Sequence, residues 1–222
     1  MMQNKINSKK TIETGISQLD DMLGGGFFPG SLNILASTPA MGKTSLAIQI
    51  ASHIADCDRE VAFHSMENNE NEIRNRIKIQ GGNSTNSKFF CECWYKLTSD
   101  YLYKTTIKNR FDAIFIDYLQ LLSNKNYDSV INDINVLKLL AIDKNIPVVI
   151  TSQLDRNYIN RRPTLDALGN SGALEKEADV IIIPYRTHES SELIVAKNSF
   201  GKTGSIPVIW NNEKMKFEEC KS

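Results

Sequence analysis

Several classes of protein are excluded by what this chain has little of. Its charge leans to neither sign, with 26 Lys+Arg against 26 Asp+Glu in 222 residues. A protein that coats nucleic acid with its whole surface needs clustered Lys and Arg to release counterions; that mode is excluded, while a local basic loop is not. Cysteine is scarce. Cys57, Cys91, Cys93 and Cys220 include one close pair, a Cys-x-Cys inside a predicted strand, which fits neither a disulfide framework nor a zinc site. Long apolar runs are missing too. Stretches such as 180–184 and 148–150 fall far short of the roughly 20 residues of a spanning helix, and the opening MMQNKINSKK has no apolar signal core. A cytoplasmic protein with no membrane contact is the expectation. There is no internal repeat, low-complexity tract or interdomain linker, and the polar stretch at 81–87 reads as a surface loop.

What is present is an ordinary globular composition, 41% hydrophobic and 23% charged, enough for one sizeable core. Strands and helices alternate along it. Residues 31–36 form an apolar strand; Leu46, Ile50 and Ile54, beside Ala47 and Ala51, mark a helix with one buried face. A strand at 60–65 leads to a helix opened by an Asn69/Glu72 capping box, lined by Ile73 and Ile77 and ended by Gly81-Gly82. Further strands are predicted at 88–94, 112–117 and 148–152. A helix through Val130, Ile134, Leu137 and Ala141 lies between the last two, with Asp128 or Ser129 as its cap. Strands at 179–184, 192–197 and 205–210 follow with little room for long helices, as in antiparallel pairing at a sheet edge. The sum is an α/β fold: a mostly parallel sheet, helices on both faces, and an antiparallel edge extension.

The strongest chemical signal is Ser37-Thr38-Pro39-Ala40-Met41-Gly42-Lys43-Thr44, between a predicted strand and a predicted helix. A P-loop must sit there, because backbone N–H groups at a helix N-terminus cradle phosphate oxygens. Lys43 would reach the β- and γ-phosphates and the Thr44 hydroxyl would bind Mg²⁺; Ser45 completes the cradle. The first glycine of the usual pattern is Ser37. Gly42-Lys43-Thr44 alone is weak; its context raises a nucleotide site well above a structural turn. Asp117, at the end of Ile114-Phe115-Ile116, offers a carboxylate for Mg²⁺, against the alternative of an exposed strand-end acid. Glu67 closes the strand at Phe63-His64-Ser65-Met66, where it would polarise a water for in-line attack or merely favour the next helix dipole. Gln153, after the strand at 148–152, either senses the γ-phosphate or is a polar strand end.

With these places fixed, the sequence resembles the ATPase domain of DnaB-type replicative helicases, a branch of the RecA-like ATPases, over residues 14–217, leaving tails at 1–13 and 218–222. The resemblance runs through 15–20 with the glycines of 24–30, the P-loop, Ser65-Met66-Glu67, and Ile116-Asp117-Tyr118-Leu119-Gln120-Leu121-Leu122, the most specific block. It continues through Ser152-Gln153-Leu154-Asp155-Arg156, Arg162-Pro163, Ser171-Gly172-Ala173-Leu174-Glu175 and Ala178-Asp179-Val180-Ile181. It implies a RecA-like P-loop core, ATP and Mg²⁺ as ligands, and a hexameric ring of copies on single-stranded DNA in DNA replication, with other replication proteins as partners. By the same resemblance Glu67 activates water, Gln153 couples the γ-phosphate to DNA-binding loops, and Lys197 reaches a neighbour's ATP. Arg156, Arg161 and Arg162 lie in such a loop with no acid between Arg156 and Pro163, a basic cluster suited to phosphates or a solvated polar loop.

The sequence departs from that family in four ways. Few residues precede the match, where the family carries an N-terminal domain and a linker helix. The stretches before Asp117 and after Leu122 are short. Ser199 stands at the arginine-finger position in Ala196-Lys197-Asn198-Ser199-Phe200-Gly201-Lys202, leaving Lys197 or Lys202 as substitutes, and Gly169-Asn170 replace an Arg-Glu pair. A trans finger contributes about 10³ to 10⁵ in turnover, so a slow ATPase is expected. The functions weighed are a ring helicase or translocase; a non-helicase RecA-like ATPase such as a recombination mediator, loader or mobile-element accessory protein; and a nucleotide-binding structural subunit. Glu67 favours the first, since placing a water serves only hydrolysis.

Overall fold

The computed structural model describes residues 11–94, 97–119, 127–159, 161–168 and 172–220. In chain order the elements are α1 (Ser17–Leu23), β1 (Leu32–Ser37), α2 (Lys43–Asp56), β2 (Val61–Ser65), α3 (Glu70–Ile79), β3 (Phe89–Cys93) and α4 (Ser99–Lys108). There follow β4 (Ala113–Asp117), α5 (Tyr127–Lys144), β5 (Val148–Gln153), α6 (Gly172–Glu177), β6 (Val180–Arg186), β7 (Ser191–Asn198), β8 (Gly204–Asn211) and β9 (Lys216–Glu219). Two 3-10 turns, Arg156–Tyr158 and Leu165–Leu168, separate β5 from α6. All strands join one sheet in the order β3-β2-β4-β5-β1-β6-β7-β8-β9. From β3 to β6 neighbours run parallel; from β6 to β9 they run antiparallel.

The parallel strands are buried on both faces, which is why they read as continuous apolar runs. In β4, Ala113 and Phe115 pack into one core with α2 and α3, while Ile114 and Ile116 pack into the other with α4 and α5. Each α2 residue of the predicted face, Leu46, Ala47, Ile50, Ala51 and Ile54, is buried. The capping box is formed in both directions: Asn69 Oδ1 accepts from the Glu72 N–H at 3.0 Å, and the Asn69 N–H donates to Glu72 Oε2 at 2.9 Å. Cys91 and Cys93 share one face of β3 with sulfurs 3.7 Å apart, and burial pushes both thiols up from their ordinary value. Among the described residues no cluster of His, Cys, Asp and Glu suits a metal, and no helix is long and apolar enough to cross a membrane.

Two expectations are corrected. Helix α5 already includes Asp128 and Ser129, so neither is its cap. Strand β2 ends at Ser65, leaving Glu67 two residues beyond it in a bend. Helix α3 ends at Gly81-Gly82 as expected: Gln80 is its cap, Gly81 turns left-handed at φ 85°, and the Gly81 and Gly82 N–H groups donate to the Lys78 and Ile77 carbonyls at 3.1 and 2.9 Å. Helices α1, α4 and α6 and strand β9 were not expected. The neighbouring parallel strands β1 and β5 send the chain to opposite faces, β1 into α2 and β5 towards α6, which opens a crevice at their carboxyl ends.

Candidate nucleotide site

The crevice holds a cavity of about 330 Å³ lined by Ser37, Thr38, Pro39, Ala40, Gly42, Lys43, Thr44 and Ser45. Two backbone reversals shape its floor. Ala40 sits at φ 65° and Gly42 at φ 96°, the latter capping α2 with its carbonyl accepting from the Leu46 N–H at 2.8 Å. Only glycine takes the second conformation without strain, and a Cβ there would come within 3.1 Å of the Phe217 and Trp210 rings. Ser37 has no such requirement. It closes β1 in extended backbone, buried, its hydroxyl donating to the Thr38 carbonyl at 3.0 Å, so a serine serves where a glycine was expected. Met41 lies in the same loop but is not among the cavity residues.

Three groups converge on Asp117 Oδ1, which is not itself among the cavity-lining residues. The Thr151 hydroxyl donates at 2.6 Å, the Thr44 hydroxyl at 3.1 Å, and Lys43 Nζ lies 3.6 Å away. Asp117 is fully buried and its second oxygen, Oδ2, has no partner among the described residues. Burying a carboxylate is costly unless cations and hydroxyls surround it. Strand β5 lies between β4 and β1, and its Thr151 bridges Asp117 and the P-loop lysine, donated to by Lys43 Nζ at 3.5 Å. Lys43 Nζ also sits 4.9 Å from the centre of the Tyr118 ring. Burial, then the charges of Glu67 and Asp117, push the Tyr118 hydroxyl up from its ordinary value. The Thr44 hydroxyl and the Asp117 carboxylate, with its unpartnered Oδ2, are oxygen donors of the kind that fit a hard divalent cation.

Glu67 and Gln153 line the same cavity, so the structure brings them to the P-loop, Gln153 in register with Ser37. Four lining residues carried no sequence signal: Arg76 from α3, Arg186 from β6, Trp210 from β8 and Met215 from the β8–β9 turn. The Arg186 guanidinium lies 4.1 Å from the Trp210 ring centre, and burial lowers its pKa. Trp210 in turn packs on Phe217 with centroids 4.9 Å apart. The antiparallel extension thus folds a flat aromatic and cationic wall over the phosphate loop. The parallel strands alone would leave that side open.

The remaining predicted site residues lie elsewhere. Lys197 Nζ donates to the Glu175 and Lys176 carbonyls at 2.6 and 3.3 Å, capping the last turn of α6. Ser199 and Lys202 are exposed, and none of the three lines this cavity. Arg161 is exposed, and Arg162 pairs with Glu192 through Nε at 2.7 Å and Nη2 at 3.0 Å. Arg156 opens the first 3-10 turn, its side chain outside what is described. Residues 120–122 of the family signature and 169–171 ahead of α6 lie outside the described residues as well.

Comparisons with known proteins agree with this geometry. The family model "DnaB-like helicase C terminal domain" matches residues 11–90 and 95–219. A "Probable plasmid replicative DNA helicase" of Chlamydia trachomatis serovar L2 is 33% identical over 94% of this chain and 54% of its own length. The "Replicative DNA helicase DnaB" of Geobacillus stearothermophilus is 29% identical over 98% of this chain and 58% of its own length. The chain spans about half the length of the curated relatives it matches. Among solved structures, a DnaB-like replicative helicase, described together with its interactions with primase, superimposes with a TM-score of 0.86 at 25% identity, covering 96% of this chain and 62% of that one. A RadB recombinase, at 20% identity and a TM-score of 0.71 over 95% of this chain, shares the fold. A RecA-like sheet in this strand order, a P-loop joined to a buried strand-end aspartate, and a family match along nearly the whole chain lead to one conclusion: the protein belongs to the DnaB-like helicase C-terminal domain family.

Proposed function

We propose that residues 14–217 are an ATP-hydrolysing motor domain of replicative-helicase type, which turns over ATP with Mg²⁺ in the P-loop cavity and works on single-stranded DNA as a ring of copies. The observation that carries this reading is the convergence of Lys43, Thr44 and Thr151 on the buried Asp117, with Lys43, Thr44 and Glu67 lining one cavity. The loop of 38–42 binds the phosphates through backbone N–H groups, and Lys43 and Arg76 supply positive charge to them. Thr44 and Asp117 would hold Mg²⁺, which when bound neutralises charge on the β- and γ-phosphates. Glu67 accepts a proton from the attacking water, and Gln153, at the root of the segment that carries Arg156, Arg161 and Arg162, links the nucleotide to that basic loop. The base rests against the Arg186 and Trp210 wall.

Ser199, in the place of a trans arginine, favours a second reading in degree: a slow motor, or a subunit that binds nucleotide with little turnover. The test is ATP hydrolysis with and without a single-stranded oligonucleotide, run beside unwinding of a forked duplex and a solution mass with both ligands. The proposal expects DNA-stimulated hydrolysis by an assembly. DNA-stimulated hydrolysis without unwinding points to a mediator or loader; binding without hydrolysis points to a structural subunit.

A further inference from the structure

Strand β7 holds the segment between β5 and β6 at two points. Near its start, Glu192 receives both prongs of the Arg162 guanidinium and a hydrogen bond from the Ser205 hydroxyl on β8. Near its end, Lys197 donates to the last carbonyls of α6. The segment so held begins directly after Gln153, in the nucleotide cavity, and includes the basic loop. The partners in the first clamp are unequally covered: the Arg162 side chain is 52% exposed, the Glu192 side chain 21%.

A carboxylate that fills an arginine fork presents the same paired oxygens as a phosphodiester. A half-exposed pair of this kind contributes little to stability, so a competing anion displaces it at modest cost. Arg162 sits in a loop with three arginines and no acid over residues 156–162, and Arg161 beside it carries no ion pair among the described residues. We propose that Glu192 is a built-in competitor of nucleic-acid phosphate: it occupies Arg162 in the unliganded chain, and a single-stranded backbone must displace it to bind the loop. This rests on the reading of the loop as a DNA contact. Displacement opens the clamp at the start of β7 and leaves the Lys197 clamp as the remaining tie on the segment.

The test is binding of a fluorescein-labelled oligothymidylate to the full chain by anisotropy over a salt series. Glu192→Gln is expected to bind about three- to tenfold tighter at low salt, with a log–log salt slope steeper by about 0.7, one more phosphate contact on a single strand. Glu192→Asp keeps the charge but shortens the reach, so it should show a smaller gain in the same direction; it also serves if the amide variant folds poorly. Glu189→Gln removes an equal charge from the exposed β6–β7 turn, where the carboxylate holds no ion pair among the described residues, and should change affinity less than twofold. In Arg162→Ala/Glu192→Gln the gain should vanish. Equal binding by wild type and both Glu192 variants overturns the competitor alone. So does a gain in Glu189→Gln that matches Glu192→Gln, or one that survives loss of Arg162. No binding by any of them overturns the DNA reading and the competitor together.

Discussion

Lys43 and Lys197 both give their ammonium groups to oxygen atoms of the same chain, but they stand in halves of the sheet built differently. Lys43, in the parallel half, faces a fully buried carboxylate that two hydroxyls also hold, so charge, burial and hydrogen bonding all fix one geometry before any ligand arrives. Lys197, in the antiparallel half, rests on two backbone carbonyls at the end of a six-residue helix, and Glu192 of the same strand holds Arg162 from the β5–β6 segment in reach of solvent. Both contacts are displaceable. On the proposed function, the parallel half is preorganised for phosphate, while strand β7 of the antiparallel half holds cations in replaceable intramolecular contacts, which suits groups that must change partners during a cycle.

The largest effect should come from breaking the buried side of this contrast. Lys43→Ala should abolish detectable turnover, and it should also destabilise the protein without ligand by about 3 kcal/mol, because Asp117 is left buried without its cation. Chemical denaturation checks the second effect, and adding Asp117→Asn should recover most of it. A Lys43→Ala protein as stable as wild type would erase the distinction drawn here.

Lys197→Ala probes the other side. Loss of a helix C-terminal cap and a favourable dipole contact should cost about 0.5–1 kcal/mol, visible in dilute protein where no assembly forms. If stability is unchanged while hydrolysis falls only at concentrations that allow assembly, the intramolecular contact matters less than a contact to a neighbour.

The smallest effect concerns pH. Pairing with Arg162 holds the Glu192 carboxyl below its ordinary value. A depressed carboxyl contributes stability that is present above its unfolded-state pKa and lost as pH falls through the folded value. The stability difference between wild type and Glu192→Gln should therefore be constant near neutrality and close in acid, and thermal melts across that range should detect a shift of a degree or two. A difference that persists below the carboxylate range would assign the effect to packing.

Much of this contrast was legible in the sequence, and unevenly so. The parallel half could be read because its signals are local: apolar runs of strand length, the Leu46, Ile50 and Ile54 stripe, the Asn69/Glu72 box, and Gly42-Lys43-Thr44 at a strand-to-helix turn. The wall over the cavity was not legible, because Arg186 and Trp210 reach the P-loop only through the order of strands β1, β6, β7 and β8, which no local pattern states. Thr151 was hidden likewise inside an apolar strand. Helix α1 has no side-chain cap of its own; Glu219 of β9, some 200 residues on, accepts from the Gln18 N–H at 3.0 Å. Helix α4 did carry a readable signal. Thr98 accepts from the Tyr101 N–H, and Leu102 and Thr106 are buried one turn apart, but its aromatic and β-branched residues obscured the helical pattern. The resemblance assigned roles to Lys197 and Arg162; that each already has an intramolecular partner follows only from the tertiary structure.

On the proposed function, the cavity hydrolyses ATP with Glu67 as the group that accepts the proton from water. Its most direct test compares wild type and Glu67→Gln for ATP binding by equilibrium titration and for phosphate release in the same protein preparation. ATP affinity should stay within about twofold of wild type while turnover falls by about 10² or more. Unchanged phosphate release with intact binding would contradict it.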